Sequence, residues 1–460
     1  MVRGTPLVSL AIAVLSFSLP VTGGNGRGND PVLPTPEQIR WADDEIGVII
    51  HFDINIFAPG TFDYSRRETL PPPSAFNPRQ LNTDQWLASA RNAGARYAVL
   101  VAKHGTGFSL WPTSAHGYSV AATPWRGGRG DVVRDFIASC RKFGIRPGLY
   151  YNTNLNTYLG AFPGGITDSG KRREYNRIVL EQLTELWTAY GGLSEIWFDG
   201  GVAEDSCGGI AGEVRRLIAR HQPGAILFQG PPGCRNLIRW IGNEDGRAPY
   251  PHWSTADVSP AASGAFGVRD THGEPGGTTW APGEADFPGR KQSAWNGGWL
   301  FRAGEENLVF TPSELFDRYL TSVGRNANML IGMVIDTSGL VPGVDSLALA
   351  GFGDIVRRAF GQAVARGSGR GTVIDLTTGE KPPAVNRVVI AEDIAWGERI
   401  RSFEVQARAG GRWRAVCAGT SVGHKYIGTF PAVRSRALRL RVTRSDGEPI
   451  LKEFSAYHAP

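Results

Sequence analysis

The sequence predicts an α/β fold: a (β/α)8 barrel of the TIM type, irregular in its second half, followed by a small C-terminal β-sandwich. Two observations predict the barrel. Short apolar runs alternate with amphipathic helical segments from residue 37 to residue 365, and the runs recur about every 30–50 residues. A third observation predicts the sandwich, because short segments separated by turn residues follow residue 371.

The first half of the predicted barrel has clear boundaries. Asn82 and Asp131 are typical helix N-caps, and Gly94 and Gly144 are typical residues at which a helix ends. Apolar residues at helical spacing also predict a long helix over residues 172–190. Near-continuous apolar runs predict buried parallel strands at residues 46–52, 97–102, 145–151, 196–199 and 225–228.

The second half is less regular. Residues 230–298 are rich in Gly and Pro, which predicts long loops over the functional face of the barrel, and residues 329–333 are the predicted last strand. Residues 365–371 (ARGSGRG) have the composition of a linker, so we place the barrel at 37–365 and the sandwich at 366–460. The clearest predicted sandwich strands are residues 388–390, 402–407, 413–417 and 438–442.

The N-terminus predicts export. Arg3 precedes an apolar run from Leu7 to Leu19, and small residues suited to cleavage follow at Val21 and Gly23. We therefore expect a signal peptide at residues 1–23, a flexible segment at 24–36, and a secreted or periplasmic protein. No other apolar run approaches membrane-spanning length.

The charge pattern argues against a nucleic-acid partner. The net charge of +6 is scattered along the chain, with no long basic run and no ribbon of interleaved basic and aromatic residues. These features are typical of a solvated surface. The sequence leaves the oligomeric state open.

The four cysteines lack the spacing of a metal site, so we expect no structural zinc, and no cofactor is implied. Cys140 lies on the apolar face of a predicted helix and is expected to be a buried thiol. Cys207 and Cys234 both follow predicted strands on one face, which makes them the pair expected to form a disulfide. Cys417 is expected to be solitary.

Residues 195–201 (EIWFDGG) carry the most informative pattern. A buried strand leads directly to Asp199, and two glycines then turn the chain away. In a parallel barrel the carboxyl ends of strands open onto the active-site face. Polar residues follow the other predicted strands as well: His51, Lys103, His104, Tyr150, Tyr151, Asn152 and Gln229. A single pocket lined by such groups suits the hydroxyls of a neutral sugar.

Cleavage of a glycosidic bond usually needs two carboxyl groups. Asp199 is the first candidate. Glu284, in the segment WAPGEAD, is the second, because aromatic neighbours would raise its pKa toward that of a general acid. Glu244, in the segment RWIGNE, is the alternative acid/base, and spacing alone does not choose between the two.

The motifs together resemble those of family 29 α-L-fucosidases over residues 38–359. The strand 47–52 (GVIIHF) carries the family's sugar-binding histidine position, and 197–200 (WFDG) matches its nucleophile motif. Further matching blocks are 76–78 (FNP), 82–86 (NTDQW), 103–113 (KHGTGFSLWPT), 130–133 (GDVV), 144–151 (GIRPGLYY), 280–286 (WAPGEAD) and 322–326 (SVGRN).

The resemblance implies a retaining α-L-fucosidase that acts on terminal α-L-fucose. Together with the predicted signal peptide, it leads us to expect a secreted, exo-acting enzyme that removes fucose from a glycan. Asp199 would be the nucleophile and Glu284 the acid/base, and His51 and His104 would bind fucose hydroxyls. The implied walls of the sugar site are Trp111, Tyr151 and Trp280.

Two departures concern the substrate. Gly105 and Thr106 replace the histidine and aspartate of the family's KHHDGF block, and Asp53 replaces a glycine after the first strand. Because of these departures, a retaining glycosidase that acts on a related sugar, such as an α-L-galactoside, stays an alternative function. A non-catalytic sugar-binding barrel is the other alternative, although both Asp199 and Glu284 are retained. Linkage preference and any sugar binding by the sandwich stay open.

Overall fold

The structure, a computed structural model, describes residues 31–60, 62–162, 165–257, 271–379 and 383–459. The strands of the first part of the chain are β1 (Ile46–His51), β2 (Tyr97–Lys103), β3 (Arg146–Asn152), β4 (Glu195–Asp199), β5 (Ile226–Phe228), β6 (Leu237–Trp240), β7 (Thr255–Ala256), β8 (Thr279–Trp280), β9 (Gly283–Phe287) and β10 (Ala327–Val334). Eight of these are parallel and close a barrel in the order β1-β10-β9-β6-β5-β4-β3-β2. The predicted barrel is confirmed.

Helices surround the barrel: α1 (Pro36–Asp44), α2 (Thr83–Ala93), α3 (Val132–Phe143), α4 (Ser169–Ala189), α5 (Ala211–His221), α6 (Pro312–Thr321) and α7 (Gly343–Phe360). The predicted caps are confirmed for α2 and α3. Asn82 and Asp131 each accept a hydrogen bond from a backbone N–H of the first turn, and Gly94 and Gly144 end the helices at φ of 91° and 65°.

The second half of the barrel is irregular, as the sequence predicts. Among the described residues no α-helix follows β5 or β6, and the long connection from β6 to β9 contains the small antiparallel ribbon of β7 and β8. Long loops therefore gather where strands β5, β6 and β9 end.

Alternate strand residues face the barrel interior or the helices. Tyr97, Tyr150 and Trp197 pack together inside the barrel, whereas Tyr151 and Phe198 belong to the outer apolar layer beneath the helices. Helix α1 covers the amino ends of the strands, where Asn328 Nδ2 donates a hydrogen bond to the Trp41 carbonyl oxygen at 2.7 Å. The carboxyl ends are the open face.

The C-terminal part is a sandwich of antiparallel strands: β11 (Ala365–Arg370), β12 (Val373–Thr377), β13 (Ala384–Glu392), β14 (Ile400–Ala409), β15 (Arg412–Gly419), β16 (Tyr426–Arg434), β17 (Ala437–Ser445) and β18 (Ile450–Tyr457). One sheet has the order β11-β18-β13-β16 and the other β12-β17-β14-β15. Their facing side chains form a separate apolar core. The predicted sandwich is confirmed.

Two sequence predictions are corrected here. The ARGSGRG segment forms strand β11, which pairs with β18, rather than a linker. Its glycines Gly367 and Gly369 leave room for the side chains of Leu376 and Ile374 of β12. Cys207 and Cys234 are free thiols, Cys207 exposed in a turn and Cys234 packed against the barrel's outer core, so the predicted disulfide is absent.

Cys140 is a buried thiol, as predicted, and Cys417 is unpaired. The predicted signal peptide and residues 24–30 of the predicted flexible segment lie outside the described residues. Across the part of the chain that the structure describes, no helix is both long enough and apolar enough to cross a membrane.

Candidate active site

Asp199 is the last residue of β4 and lies at the open face of the barrel. Its Oδ2 accepts hydrogen bonds from the Tyr150 hydroxyl at 2.5 Å and from Asn152 Nδ2 at 2.7 Å. Asn152 is its register partner on β3, and Tyr150 faces inward two residues earlier. Asn154 holds the following turn, because its Nδ2 donates to the carbonyl oxygen of Gly200 at 3.0 Å. One carboxylate oxygen of Asp199 is thus fixed by two neutral donors.

Two histidines lie beside this carboxylate. His51 ends β1 and His104 follows β2, and their ring centroids are 5.8 Å apart. Each ring also lies near Tyr150, at 6.1 Å for His51 and 5.8 Å for His104. Burial lowers the pKa of His104 to about 4 and that of His51 well below its usual value. Both imidazoles are therefore neutral near pH 7, and each can donate one hydrogen bond and accept another.

The altered block beside His104 forms its own contacts. Asp53 Oδ1 accepts hydrogen bonds from Thr106 Oγ1 at 2.8 Å and from the Ile54 N–H at 2.7 Å. Burial raises the pKa of Asp53 to about 7. The replacements at positions 53 and 106 therefore bond to each other rather than leaving a gap.

Glu244 lies in the loop that follows β6, on the same open face as Asp199. Trp299 connects it to the histidines, because its Nε1 donates to Glu244 Oε2 at 3.2 Å and its ring lies 4.8 Å from the His51 ring. Asp286, near the carboxyl end of β9, accepts a hydrogen bond from Trp240 Nε1 at 2.7 Å and interacts electrostatically with Glu244. A second carboxyl group is thus present at the rim.

Glu284 does not lie at the open face. It is the second residue of β9 and its side chain is 0% exposed inside the barrel. Its Oε1 accepts from the Tyr97 hydroxyl at 2.6 Å, and its Oε2 accepts from Trp197 Nε1 at 3.1 Å. Tyr97 is the first residue of β2, so these contacts place Glu284 toward the amino ends of the strands. The structure does not bring it into the pocket with Asp199.

A second buried carboxyl group accompanies Glu284. Glu195, the first residue of β4, is also 0% exposed and accepts a hydrogen bond from Trp41 Nε1 at 3.3 Å. Burial raises the pKa of both carboxyl groups, and their proximity raises that of Glu195 further. We interpret them as part of the barrel floor.

Three of the residues predicted to bind substrate face the helices instead. Lys103 donates hydrogen bonds to the backbone carbonyl oxygens of Asn152 and Leu155, and lies over the Tyr151 ring. The Tyr151 hydroxyl donates to Gln182 Oε1 of α4 at 2.7 Å, and Trp111 Nε1 donates to Glu185 Oε2 of the same helix at 2.7 Å. These predictions are corrected: Lys103, Tyr151 and Trp111 brace the barrel wall.

Trp280 is corrected as well. It ends the ribbon strand β8, just before the amino end of β9, and packs with Trp41 in the interior cluster. The Gln38 side chain of α1 donates to its carbonyl oxygen at 2.9 Å. Trp280 therefore belongs to the barrel floor.

The sequence patterns assign no role to four residues of the pocket: Tyr64, Tyr150, Asn152 and Trp299. Strand alternation could have found Tyr150, because it shares the inward face with Asp199's partner Asn152 two residues later. No pattern marks Tyr64 or Trp299, which reach the pocket from loops. The described residues contain no group of three His, Cys, Asp or Glu side chains arranged to hold a metal ion.

Comparison with known proteins identifies the family. The α-L-fucosidase family pattern matches residues 36–359. This chain belongs to the α-L-fucosidase family. Alpha-L-fucosidase 1 of Arabidopsis thaliana is 31% identical, with an alignment over 93% of this chain and 88% of the relative.

Solved structures agree. A crystal structure from Bacteroides thetaiotaomicron VPI-5482, itself assigned as an α-L-fucosidase, superimposes with a TM-score of 0.85 at 36% identity, over 93% of this chain and 100% of that one. A Ruminococcus gnavus family 29 fucosidase in complex with fucose has the same fold, with a TM-score of 0.80 at 21% identity over 96% of this chain and 97% of that one. Because this chain belongs to the α-L-fucosidase family, it is a glycoside hydrolase.

Proposed function

We propose that this chain is an exo-acting, retaining α-L-fucosidase in which Asp199 is the nucleophile and Glu244 the acid/base. The position of Asp199 carries the proposal: its carboxylate lies at the open end of the barrel, fixed by Tyr150 and Asn152 and close to two neutral histidines. Family membership supplies the reaction class.

In the first step, an oxygen of Asp199 attacks the anomeric carbon of fucose. The glycosidic C–O bond breaks as Glu244 transfers its proton to the departing oxygen, and a covalent fucosyl–Asp199 ester results. The hydrogen bonds from Tyr150 and Asn152 all go to Oδ2. We therefore assign Oδ1 as the attacking atom, with Oδ2 becoming the carbonyl oxygen of the ester.

In the second step, the Glu244 carboxylate takes a proton from water while the water oxygen attacks the anomeric carbon. The ester bond to Asp199 Oδ1 breaks, and its electron pair restores the carboxylate. Two inversions give net retention, and Glu244 ends protonated for the next cycle.

Glu244 is chosen over Glu284 on geometry. A general acid has to reach the leaving oxygen directly or through one water. Glu284 is fully buried, with both oxygens bonded to Tyr97 and Trp197. Glu244 lies in a loop on the face of Asp199 and contacts Trp299 beside His51. For a retaining enzyme we expect the Asp199 and Glu244 carboxyl groups to approach within about 5–5.5 Å when substrate is bound.

The chemistry of the pocket supports a neutral sugar at a chain end. Neutral His51 and His104 suit hydroxyl groups, and Trp299 offers an aromatic face for C–H groups. Tyr64 hydrogen-bonds with His104 and Trp299 packs beside His51, so two loops border the histidines. A pocket bordered by two loops fits a terminal sugar, and the fold relative from R. gnavus holds fucose.

Azide rescue tests this assignment. With an aryl α-L-fucoside, Asp199→Ala is expected to be nearly inactive and to yield β-L-fucosyl azide when azide is added, because azide occupies the side of the missing carboxylate. Glu244→Ala is expected to yield α-L-fucosyl azide, because azide then attacks the Asp199 ester. Glu284→Gln serves as the control and is expected to form no azide product.

Three outcomes would overturn the proposal. Full activity in Asp199→Ala would show that Asp199 is not the nucleophile. Formation of the α-azide by Glu284→Gln but not by Glu244→Ala would assign the acid/base role to Glu284. No turnover by the wild type would show that the chain lacks the proposed activity. Aryl α-L-galactosides in the same assay test the related sugar, which differs from fucose only at C6.

Export is also part of the proposal. The apolar run from Leu7 to Leu19 and the small residues that follow support a cleaved signal peptide. N-terminal sequencing of the protein released by its native host tests this. A mature protein that starts near residue 24 supports export, and an intact N-terminus in the cytoplasm contradicts it.

A further inference from the structure

Gly105 leaves space that the Tyr64 ring fills. A Cβ atom at position 105 would lie 2.7 Å from Tyr64 Cε1 and 2.9 Å from Tyr64 Cδ1, well inside carbon–carbon contact distance. Thr157 holds the two segments together. Its N–H donates to the Gly105 carbonyl oxygen at 2.9 Å, and its Oγ1 donates to the Tyr64 carbonyl oxygen at 2.8 Å. Any larger residue at 105 would displace the ring.

The Tyr64 hydroxyl lies 2.9 Å from His104 Nδ1. Burial and the nearby Asp53 carboxyl raise the pKa of Tyr64 above its usual value, so the phenol stays protonated. Of the two groups, the phenol O–H is the stronger hydrogen-bond donor and a neutral imidazole nitrogen is the stronger acceptor, so we assign the phenol as the donor to Nδ1. The hydrogen of the neutral imidazole is then on Nε2.

Asp53 does not compete for the same nitrogen. Its Oδ2 is 3.9 Å from His104 Nδ1, beyond hydrogen-bond distance, and its Oδ1 is occupied by Thr106 and Ile54. Tyr64 is therefore the group that fixes the His104 tautomer.

We propose that Tyr64 is a positioning residue for the sugar site: it holds His104 with Nε2–H directed to a hydroxyl oxygen of the bound sugar, and Gly105 is required to admit its ring. The inference rests on the proposed function for the identity of the bound group. The tautomer itself does not depend on activity, so the two can fail separately.

The first test reads the tautomer directly. Long-range 1H–15N correlation spectra of the 15N-histidine-labelled protein near pH 7 distinguish Nε2–H from Nδ1–H imidazole, and the His104 signals are assigned by their absence in His104→Asn. We expect pure Nε2–H in the wild type and a mixture in Tyr64→Phe. Nδ1–H in the wild type, or an unchanged spectrum in Tyr64→Phe, would overturn the inference.

The second test is kinetic. Tyr64→Phe keeps the ring and loses the hydroxyl, so kcat/KM for an aryl α-L-fucoside is expected to fall about 5- to 10-fold, mostly through KM. Tyr158→Phe, a tyrosine of the adjoining segment whose ring stacks on Tyr118, is the matched control and is expected to behave as wild type. Equal activity of Tyr64→Phe and wild type would contradict the role, whereas an inactive wild type would contradict the proposed function instead.

A double-variant cycle tests the role of Gly105. Gly105→Ala alone is expected to lower kcat/KM about tenfold, because it displaces the Tyr64 ring. In the Tyr64→Ala background the same substitution meets no ring, so it is expected to cause little further loss. Equal losses in both backgrounds would show that Gly105 acts independently of Tyr64.

Discussion

The Tyr150 hydroxyl donates a 2.5 Å hydrogen bond to Asp199 Oδ2, and this contact orients the proposed nucleophile. Burial and the Asp199 charge raise the pKa of Tyr150 well above its usual value, so the phenol remains a donor across the working pH range. Tyr150 also stacks on Trp197, with ring centroids 5.0 Å apart, and this fixes the phenol ring. The orientation of Asp199 is thus built into the interior of the barrel.

Tyr150→Phe is expected to lower kcat/KM for aryl α-L-fucosides about 10- to 100-fold. It removes a hydrogen bond to a charged group, and such bonds contribute about 1.5–3 kcal/mol. Asn152 still holds Oδ2, so activity is not abolished. Steady-state kinetics with a 2,4-dinitrophenyl substrate measures the loss in the step that forms the ester.

Tyr151→Phe is the matched control. Its hydroxyl bonds Gln182 on α4, outside the barrel interior. We expect unchanged kcat/KM and a loss of about 1 kcal/mol in the free energy of unfolding. If Tyr151→Phe lost activity and Tyr150→Phe did not, the assigned strand faces would be contradicted.

The acid/base assignment predicts a dependence on the leaving group. Glu244→Gln is expected to lose about 100-fold or more in kcat/KM with a phenyl fucoside. The loss is expected to be far smaller with a 2,4-dinitrophenyl fucoside, because 2,4-dinitrophenolate leaves without being protonated. Glu284→Gln is expected to keep the wild-type dependence. Measurement of both variants on a series of aryl fucosides decides between them, and a steep dependence in Glu284→Gln alone would restore the sequence-based prediction.

The carboxyl groups of the barrel floor predict a pH dependence of stability. In the unfolded chain Glu195 ionises near its ordinary pKa of 4.5, whereas burial keeps it protonated in the folded state. Above pH 4.5 the folded state therefore retains a proton that the unfolded state releases. The contribution of Glu195 to the free energy of unfolding is highest at low pH, where Glu195 is protonated in both states, and it falls as the pH rises above 4.5. Glu195→Gln removes that loss.

We expect the free energy of unfolding of Glu195→Gln, relative to wild type, to be more favourable at pH 8 than at pH 5. Denaturant titrations at the two pH values measure the difference. Glu213→Gln is the control, because the Glu213 side chain on helix α5 is half-exposed. Its effect on the free energy of unfolding is expected to differ much less between the two pH values. A relative stability of Glu195→Gln that falls with pH would contradict a protonated floor.

Glu398 joins the sandwich to the barrel. Its Oε1 accepts a hydrogen bond from Asn326 Nδ2 at 2.6 Å, and its two oxygens accept from the Ser254 N–H at 3.1 and 3.0 Å. Glu398→Ala leaves the buried Ser254 N–H without this acceptor and removes the shortest hydrogen bond of Asn326 Nδ2, so we expect a loss of about 2–3 kcal/mol in the free energy of unfolding. Exposed Glu448→Ala is the control. Equal stability of both variants would contradict a stabilising role for the Glu398 contacts between the sandwich and the barrel.

The barrel was predictable because its strands are continuous apolar runs and its helices have local caps. Asn82 and Gly94 each determine a boundary with their own side chain or backbone freedom. Strand β6 and strand β9 were not predicted, since they are short and interrupted by polar inward residues such as Glu284 and Asp286. The glycine-rich composition of β11 is typical of a linker, and only its pairing with β18 makes it a strand.

The site was predictable where a side chain follows a strand end directly, as for Asp199, His51 and His104. It was not predictable for Glu284, because a motif gives a position along the chain and not the depth of that residue in the barrel. The prediction for Tyr151 is wrong for a related reason: it lies one residue after inward-facing Tyr150, and a one-residue change of strand face moves a side chain from the pocket to the helices. Trp111 lies in the loop after β2, where strand alternation gives no information about the direction of the side chain. Tyr64 depends on a loop contact that no local pattern records.

Trapping the covalent intermediate tests the central claim most directly. A 2-deoxy-2-fluoro-L-fucosyl fluoride slows hydrolysis of the ester more than its formation, so the glycosyl-enzyme accumulates. Mass spectrometry of the digested protein is expected to find one fucosyl label, on Asp199. A label on any other residue, or rapid turnover of the fluoride by Asp199→Ala, would contradict the account.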